Sequence, residues 1–326
     1  MQKKRNLMMK ALAALLVALL LLGAAACGDN AESDTSTDSS NDAVETSNNT
    51  PDTSNSSNDT NTSQSTDSTQ DTSDNTGAAP DDTPETAPAP DPVELIVFAA
   101  ASMTDTLEEI ALLYAQAAPH VTLIFNFDSS GTLKTQIEEG ADVDLFISAA
   151  QRQMNELAEI DLVLTASRID MLENKVALVV AEGNPANITS FDELVDALQS
   201  GDILMAMGNS DVPVGQYTIE ILKYFDLDEE ALARSGVITY GSNVREVTTQ
   251  VVEASVEVGI VYATDAFSTG LQVVDTASAE MCGGQVIYPA AVMNVSTHQD
   301  EAQAFLDYLQ TPPAMAVFES VGFSPA

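Results

Sequence analysis

A fold of the α/β class, divided into two lobes that each carry a mixed, mostly parallel sheet flanked by helices, is predicted by three observations on this 326-residue chain. From residue 93 onward, short apolar runs alternate with stretches of helical periodicity, the βαβα order of a largely parallel sheet. The strand-like runs are apolar throughout, as strands covered on both faces must be. The alternation also falls into two successive units of about 100 residues, the usual size of a domain.

In the first unit, residues 95–98 form a short apolar strand, 104–117 place apolar side chains at helical spacing, and 121–127 are β-branched and aromatic. Residues 133–137 then fit a helix, 144–148 a strand, 155–159 a helix and 175–181 a strand. The second unit reads as helix 191–198, strand 202–207, helix 216–225, strand 236–240, helix 244–254 and strand 258–262. A further apolar strand at 286–293 precedes helices at 299–309 and 314–319. The strands at 175–181 and 286–293 are expected to carry the chain between lobes, with the last helices returning to the first. Lobe one is then 93–178 with 290–326, and lobe two is 179–289. Ligands of open α/β sheets sit beyond the carboxyl ends of the strands, so two facing lobes predict a binding cleft.

Residues 1–26 have the layout of a secretory leader: Lys3, Lys4 and Arg5, an apolar run over 11–22, then Gly23, Ala24, Ala25 and Ala26 ahead of Cys27. The run is too short for a membrane span. Small residues before a cysteine resemble the lipobox of bacterial lipoproteins, which implies that Cys27 is acylated and holds the protein on the extracytoplasmic face of the cell membrane. Residues 28–92 contain no Lys, Arg or aromatic side chain and are almost entirely Ser, Thr, Asp, Asn, Ala and Pro. Such a segment buries too little apolar surface to offset chain entropy, so 27–92 is expected to be a lipidated cysteine followed by a disordered acidic tether. A glycosylated stalk has the same composition. If Cys27 is lipidated, Cys282 has no partner, and stability must come from the core and not from a disulfide.

Charge narrows the ligand. The leader holds four of the eleven cations and the linker fifteen of the fifty acids, which leaves seven cations against 35 acids and about −28 on the folded part. That field excludes nucleic acid as a partner. Yet four turns repeat one device, a strand end followed by a hydroxyl, proline or glycine and then a helix. They are Ala101-Ser102-Met103, Ser129-Ser130-Gly131, Val212-Pro213-Val214-Gly215 and Gly241-Ser242-Asn243-Val244. Each alone is an ordinary helix cap. Four at the strand ends of two lobes predict a small anion bound by hydroxyls and by the free N–H groups of helix starts, without Lys or Arg.

The segments Phe98-Ala99-Ala100-Ala101-Ser102-Met103-Thr104, Ser129-Ser130-Gly131-Thr132-Leu133 and Asp142-Val143-Asp144-Leu145-Phe146-Ile147-Ser148 resemble the periplasmic molybdate-binding proteins of ABC importers. So do Val212-Pro213-Val214-Gly215-Gln216-Tyr217, Asn243-Val244-Arg245 and Gly259-Ile260-Val261-Tyr262-Ala263-Thr264-Asp265, in family order along 93–326. The resemblance implies the type II periplasmic-binding-protein fold. It also implies an oxyanion held by the hydroxyls of Ser102 and Ser130, the backbone N–H groups of Val214 and Val244, and the Tyr262 hydroxyl. Val214 replaces a smaller residue usual in the family, and Asp128 replaces a commonly neutral one, so its carboxylate should point away from the ligand. Lys134 and Arg245 lie near the site in sequence, and ion-paired surface roles are expected for them. A monomer that captures molybdate or tungstate and hands it to a membrane permease is the reading this supports, with no cofactor and no bound metal cation.

Other readings remain open to the residues themselves: a binder of another tetrahedral oxyanion such as sulfate, an exported α/β enzyme, or a ligand-sensing module. Tyr262 at a strand end is also a common core position. Against catalysis, the sequence contains no G-x-S-x-G elbow, P-loop or dinucleotide fingerprint, and its two histidines, His120 and His298, are far apart. With Cys282 alone besides them, no metal cluster is evident.

Overall fold

A computed structural model describes residues 90–326, so the expected leader, the lipid attachment at Cys27 and nearly all of the linker fall outside the described residues. Lobe one opens with β1 (Val93–Ala100), a 3-10 turn (Ala101–Met103), α1 (Thr104–Ala117), β2 (Val121–Asp128), α2 (Ser130–Glu138), β3 (Leu145–Ile147), α3 (Gln151–Glu159) and β4 (Ile169–Asn174). Next come β5 (Val176–Val180), α4 (Phe191–Ser200), β6 (Met205–Gly208), α5 (Pro213–Tyr224), α6 (Glu229–Ser235), β7 (Ile238–Gly241), α7 (Val244–Val252), β8 (Val258–Tyr262), α8 (Ala263–Thr269) and β9 (Gln272–Thr276). The chain ends with β10 (Val286–Val292), α9 (Gln299–Leu309), α10 (Pro312–Ser320) and β11 (Ser324–Pro325).

Two sheets result, ordered β11-β4-β10-β3-β1-β2 and β7-β6-β8-β5-β9. The first pairs β1 with β2 and β3 in parallel, and β10 antiparallel to β3 and β4. The second pairs β6 with β7 and β8 in parallel, and β5 antiparallel to β8 and β9. Each sheet is therefore mixed: β5 alone is reversed in the second, and in the first β10 inside the sheet and β11 at its edge run against the rest. The reversed inner strands, β5 and β10, are the first strands after the chain changes lobe.

The crossings themselves differ from the expected ones. β5 lies whole in the second sheet and β10 whole in the first. The chain therefore crosses at Lys175 and between residues 277 and 285, not inside the apolar strands at 178/179 and 289/290. A strand that changed sheets midway would leave half of its ladder groups unpaired, and here the polar Asn174-Lys175 step takes the crossing instead.

Packing follows the all-apolar reading of the strands. In β1, Leu95, Val97 and Ala99 join the core that also takes Leu107 and Ile110 of α1 and Phe305 of α9. Phe98, on the other face, packs with Leu133 of α2, Phe146 of β3 and Leu157 of α3. The Tyr114 ring of α1 packs tilted against Phe305 with centroids 4.8 Å apart, which ties the C-terminal helices to lobe one. Cys282 is a buried free thiol. Among the described residues no helix is long and apolar enough to cross a membrane.

Candidate ligand-binding site

Strand register brings the two serines together. Ala100 of β1 pairs with Asp128 of β2, and Ser102 and Ser130 each lie two residues beyond, so they leave neighbouring strands at one level. Capping of α2 is done by Ser129, whose hydroxyl accepts from Thr132 N at 3.1 Å. That frees Ser130, which is fully buried, from any capping role. Its Oγ accepts from Ala149 N at 2.9 Å, so its proton remains to be donated. Ser102 Oγ lies 3.0 Å from the Tyr288 hydroxyl.

Lobe two presents two helix starts in the same way, because Gly208 of β6 pairs with Gly241 of β7. Val212 precedes α5 without a side-chain cap, and Pro213 at the first position has no N–H to satisfy. Val214 is therefore the first residue of that helix able to donate, and the N–H groups of a first turn have no partner within the helix. At α7, Asn243 Oδ1 accepts from Glu246 N at 3.1 Å while Glu246 Oε2 accepts from Ser242 N at 2.7 Å. This capping box uses the donors on either side and leaves that of Val244. Tyr262 ends β8, is 1% exposed, and donates to Ala149 O at 3.4 Å. Burial, reinforced by Tyr288, holds its phenol well above the ordinary range, so it stays a neutral donor.

Ser102, Ser130, Val244 and Tyr262 line one cavity together with Pro213 and Asp128. Val214, the residue after Pro213, is fully buried and is not among the lining residues. No Lys or Arg is among the lining residues. The cavity volume is only about 10 Å³, about the least that holds one water, so a sugar or peptide would hold the lobes apart. Larger hollows of about 420 and 490 Å³ lie elsewhere, one along residues 219–230 and one around 92–96, 142–144 and 295–298, but each touches a single helix start, not several. Asp128 is itself one of the lining residues, and its Oδ1 is engaged, accepting from Ser129 N at 2.7 Å and meeting Asn243 Nδ2 at 3.5 Å.

The lobes are closed over this cavity. Gly131 N donates to Asp211 O at 3.1 Å across the cleft. Arg245 donates through Nε to Ala101 O at 3.1 Å and through Nη2 to Asp105 Oδ1 at 2.7 Å. It is thus a cross-lobe latch, and it does not line the cavity. Lys134 is taken up by Glu138 at 3.3 Å and Glu156 at 2.9 Å within lobe one. Sequence reading did not single out Asn174 or Tyr288, and took Gly131 only as part of the turn that carries Ser130. A tyrosine inside an otherwise apolar strand, as in Val286-Ile287-Tyr288, is the signal that a buried hydroxyl needs a partner.

Beside the latch, Asp265 is 6% exposed and its Oδ2 has no hydrogen-bond partner. Burial pushes its carboxyl from 3.8 up to about 7, with Arg245 opposing and Asp105 adding to the shift. A raised carboxyl pKa means that the folded state holds the proton more tightly than the unfolded one. Stability is then fully present below pH 4 and declines as pH rises through 7. Asp265→Asn is expected to raise the melting temperature at pH 8 by about 5 °C and to leave it unchanged at pH 4. Equal shifts at both pH values in a calorimetric scan would refute the burial of a charge there.

The family model of bacterial extracellular solute-binding proteins matches residues 95–324. A Bacillus subtilis protein provisionally named an ABC transporter substrate-binding lipoprotein is 35% identical over 234 residues, 71% of this chain and 86% of that protein. The molybdate-binding protein ModA of Haemophilus influenzae is 34% identical over 235 residues, 71% of this chain and 90% of its own. Among solved structures, the substrate-binding domain of a provisionally assigned molybdenum ABC transporter from Clostridium difficile is 28% identical with a TM-score of 0.54, covering 72% of this chain and 99% of that one. The chain belongs to the bacterial extracellular solute-binding proteins.

Proposed function

We propose that this protein captures molybdate, and tungstate with it, in the cleft between its lobes and delivers the ion to the membrane permease of an ABC importer. One observation carries the reading. Two serine hydroxyls, two helix starts and a neutral tyrosine converge on one small cavity whose wall has no Lys or Arg. The donors are Ser102, Ser130, the Val214 and Val244 N–H groups and Tyr262. The name of the Haemophilus influenzae relative points the same way.

Magnitudes permit a site without countercharge. Micromolar affinity requires about −8 kcal/mol. Five hydrogen bonds to a charged acceptor, at about 1.5–3 kcal/mol each, sum to about 7.5–15 kcal/mol, and the upper part of that range exceeds the requirement after the cost of association. The reading assigns no catalytic role, cofactor or metal cation to the chain, and takes it as a monomer. Calorimetry with molybdate, tungstate, sulfate and hydrogen phosphate tests it. Tight binding of the first two is expected, and absence of heat with both would end the proposal. Turnover of ester or organic-acid substrates would favour an enzyme instead.

The same reading places the protein outside the cytoplasm, anchored by a lipid on Cys27. Cys27→Ser is expected to release it from the membrane fraction or leave it unprocessed, since acyl chains on that residue would be the anchor. A variant still processed and still sedimenting with membranes would show that another segment holds it.

A further inference from the structure

Behind Ser102 lies a chain of buried polar groups that the ligand shell itself does not contain. Lys175 N, a backbone donor, gives its hydrogen to Asn174 Oδ1 at 2.8 Å. That bond fixes which end of the amide is which, so Asn174 Nδ2 is the end that faces Thr264 Oγ1 at 2.9 Å and the Tyr288 hydroxyl at 3.2 Å. An amide nitrogen only donates. Tyr288 oxygen must therefore accept from it, and the Tyr288 proton is left for Ser102 Oγ at 3.0 Å. Ser102 Oγ, having accepted, has its own proton free for the cavity. Asn174 is 3% exposed, Tyr288 is fully buried, and no water competes for these bonds at such burial. Burial first, then the nearby Asp265, keeps the Tyr288 phenol protonated well above the ordinary range. The nearby Tyr262 hydroxyl gives its own proton to Ala149 O at 3.4 Å, which leaves Ser102 Oγ as the acceptor for the Tyr288 proton.

We propose that Asn174 and Tyr288 are positioning residues whose hydrogen-bond relay sets Ser102 as an obligate donor, so that the site favours fully deprotonated tetrahedral oxyanions over those that carry a proton. The inference rests on the oxyanion reading above and deepens it. Ser130 is fixed as a donor independently, by Ala149 N. Hydrogen phosphate brings a hydroxyl that needs an acceptor, and a shell of donors on both serines leaves that proton facing other protons. Selectivity is thereby traced back to a single backbone N–H at the lobe crossing.

Tyr288→Phe tests this in the intact protein by calorimetry at pH 7 with three probes: molybdate, sulfate and inorganic phosphate. Without the phenol oxygen, Ser102 Oγ regains a free lone pair. Molybdate and sulfate are expected to weaken together by about 3- to 10-fold, with their ratio unchanged. The molybdate-to-phosphate ratio is expected to fall by a further factor of about 5 or more. A loss shared equally by all three anions would reduce Tyr288 to a packing residue and overturn the proposal. In a Ser102→Ala background, Tyr288→Phe should no longer move the phosphate ratio, and a persisting shift there would also overturn it. Should Tyr288→Phe not fold, Asn174→Ala releases the same polarity and is read on the same anions. Failure of the wild-type protein to bind molybdate would instead strike the oxyanion reading itself, so the two failures are distinguishable.

Discussion

Gly131→Ala is expected to leave the fold intact and to weaken oxyanion binding by at least about 30-fold. Gly131 is the second residue of α2, one position past Ser130, and faces the opposite lobe. A methyl group there would sit 2.2 Å from Asp211 O and 2.9 Å from its carbonyl carbon, both backbone atoms of lobe two. Backbone cannot swing aside as a long side chain can, so the lobes must stop short of full closure. Overpacking of this kind costs about 1–3 kcal/mol, and about 2 kcal/mol corresponds to the 30-fold loss. Within lobe one nothing opposes the change, because alanine is favoured over glycine in a helix by about 1 kcal/mol. Thermal stability without ligand should hold or rise while calorimetric affinity drops. Unchanged affinity would mean that the closed arrangement is not the one that binds, and the cavity between Ser130 and Val244 would lose its meaning.

How much of this was legible in the sequence depends on where each signal is stored. Strands covered on both faces announce themselves: Val258–Tyr262 and Thr104–Ala117 have the bounds that apolar continuity and helical spacing predicted. The elements that were missed carry weak patterns. β9 is an edge strand of exposed or half-exposed residues, and β4 breaks its apolar residues with Asp170, Glu173 and Asn174. Short α6 is set by its caps, Asp228 and Gly236, more than by any periodicity. The serines and helix starts were legible because turn chemistry is local. Partners supplied from elsewhere were not. Tyr288 reaches Ser102 across 186 positions, and Arg245 reaches Ala101 across 144. Nothing within a few residues of Arg245 says that it closes on Asp105 of the other lobe instead of meeting solvent. The lobe crossings were misplaced for a related reason: an apolar strand beside a hinge looks the same whichever sheet it joins.

Loss of the Ser130 hydroxyl should be the most damaging single change among the side chains of the site. Ser130→Ala is expected to cost molybdate affinity about 3 kcal/mol, against about 1.5–2 kcal/mol for Ser102→Ala, since each removes a donor to a desolvated charge. The inequality has a structural source. Ser130 is fully buried and its oxygen satisfies Ala149 N, so truncation removes a donor to the ligand and also leaves a buried backbone N–H without its acceptor. Ser102 is only partly buried, and its truncation leaves a phenol free to turn toward the space vacated. Combined, the two changes should abolish detectable binding by calorimetry, because the serines sit on neighbouring strands and contribute to one shell. Lys134→Ala provides the contrast, since its ammonium is engaged by Glu138 and Glu156 and lines no part of the cavity. Its affinity should stay within about twofold of the unaltered protein. A loss at Lys134 comparable with that at Ser130 would mean that a countercharge, and not the array of neutral donors, holds the anion.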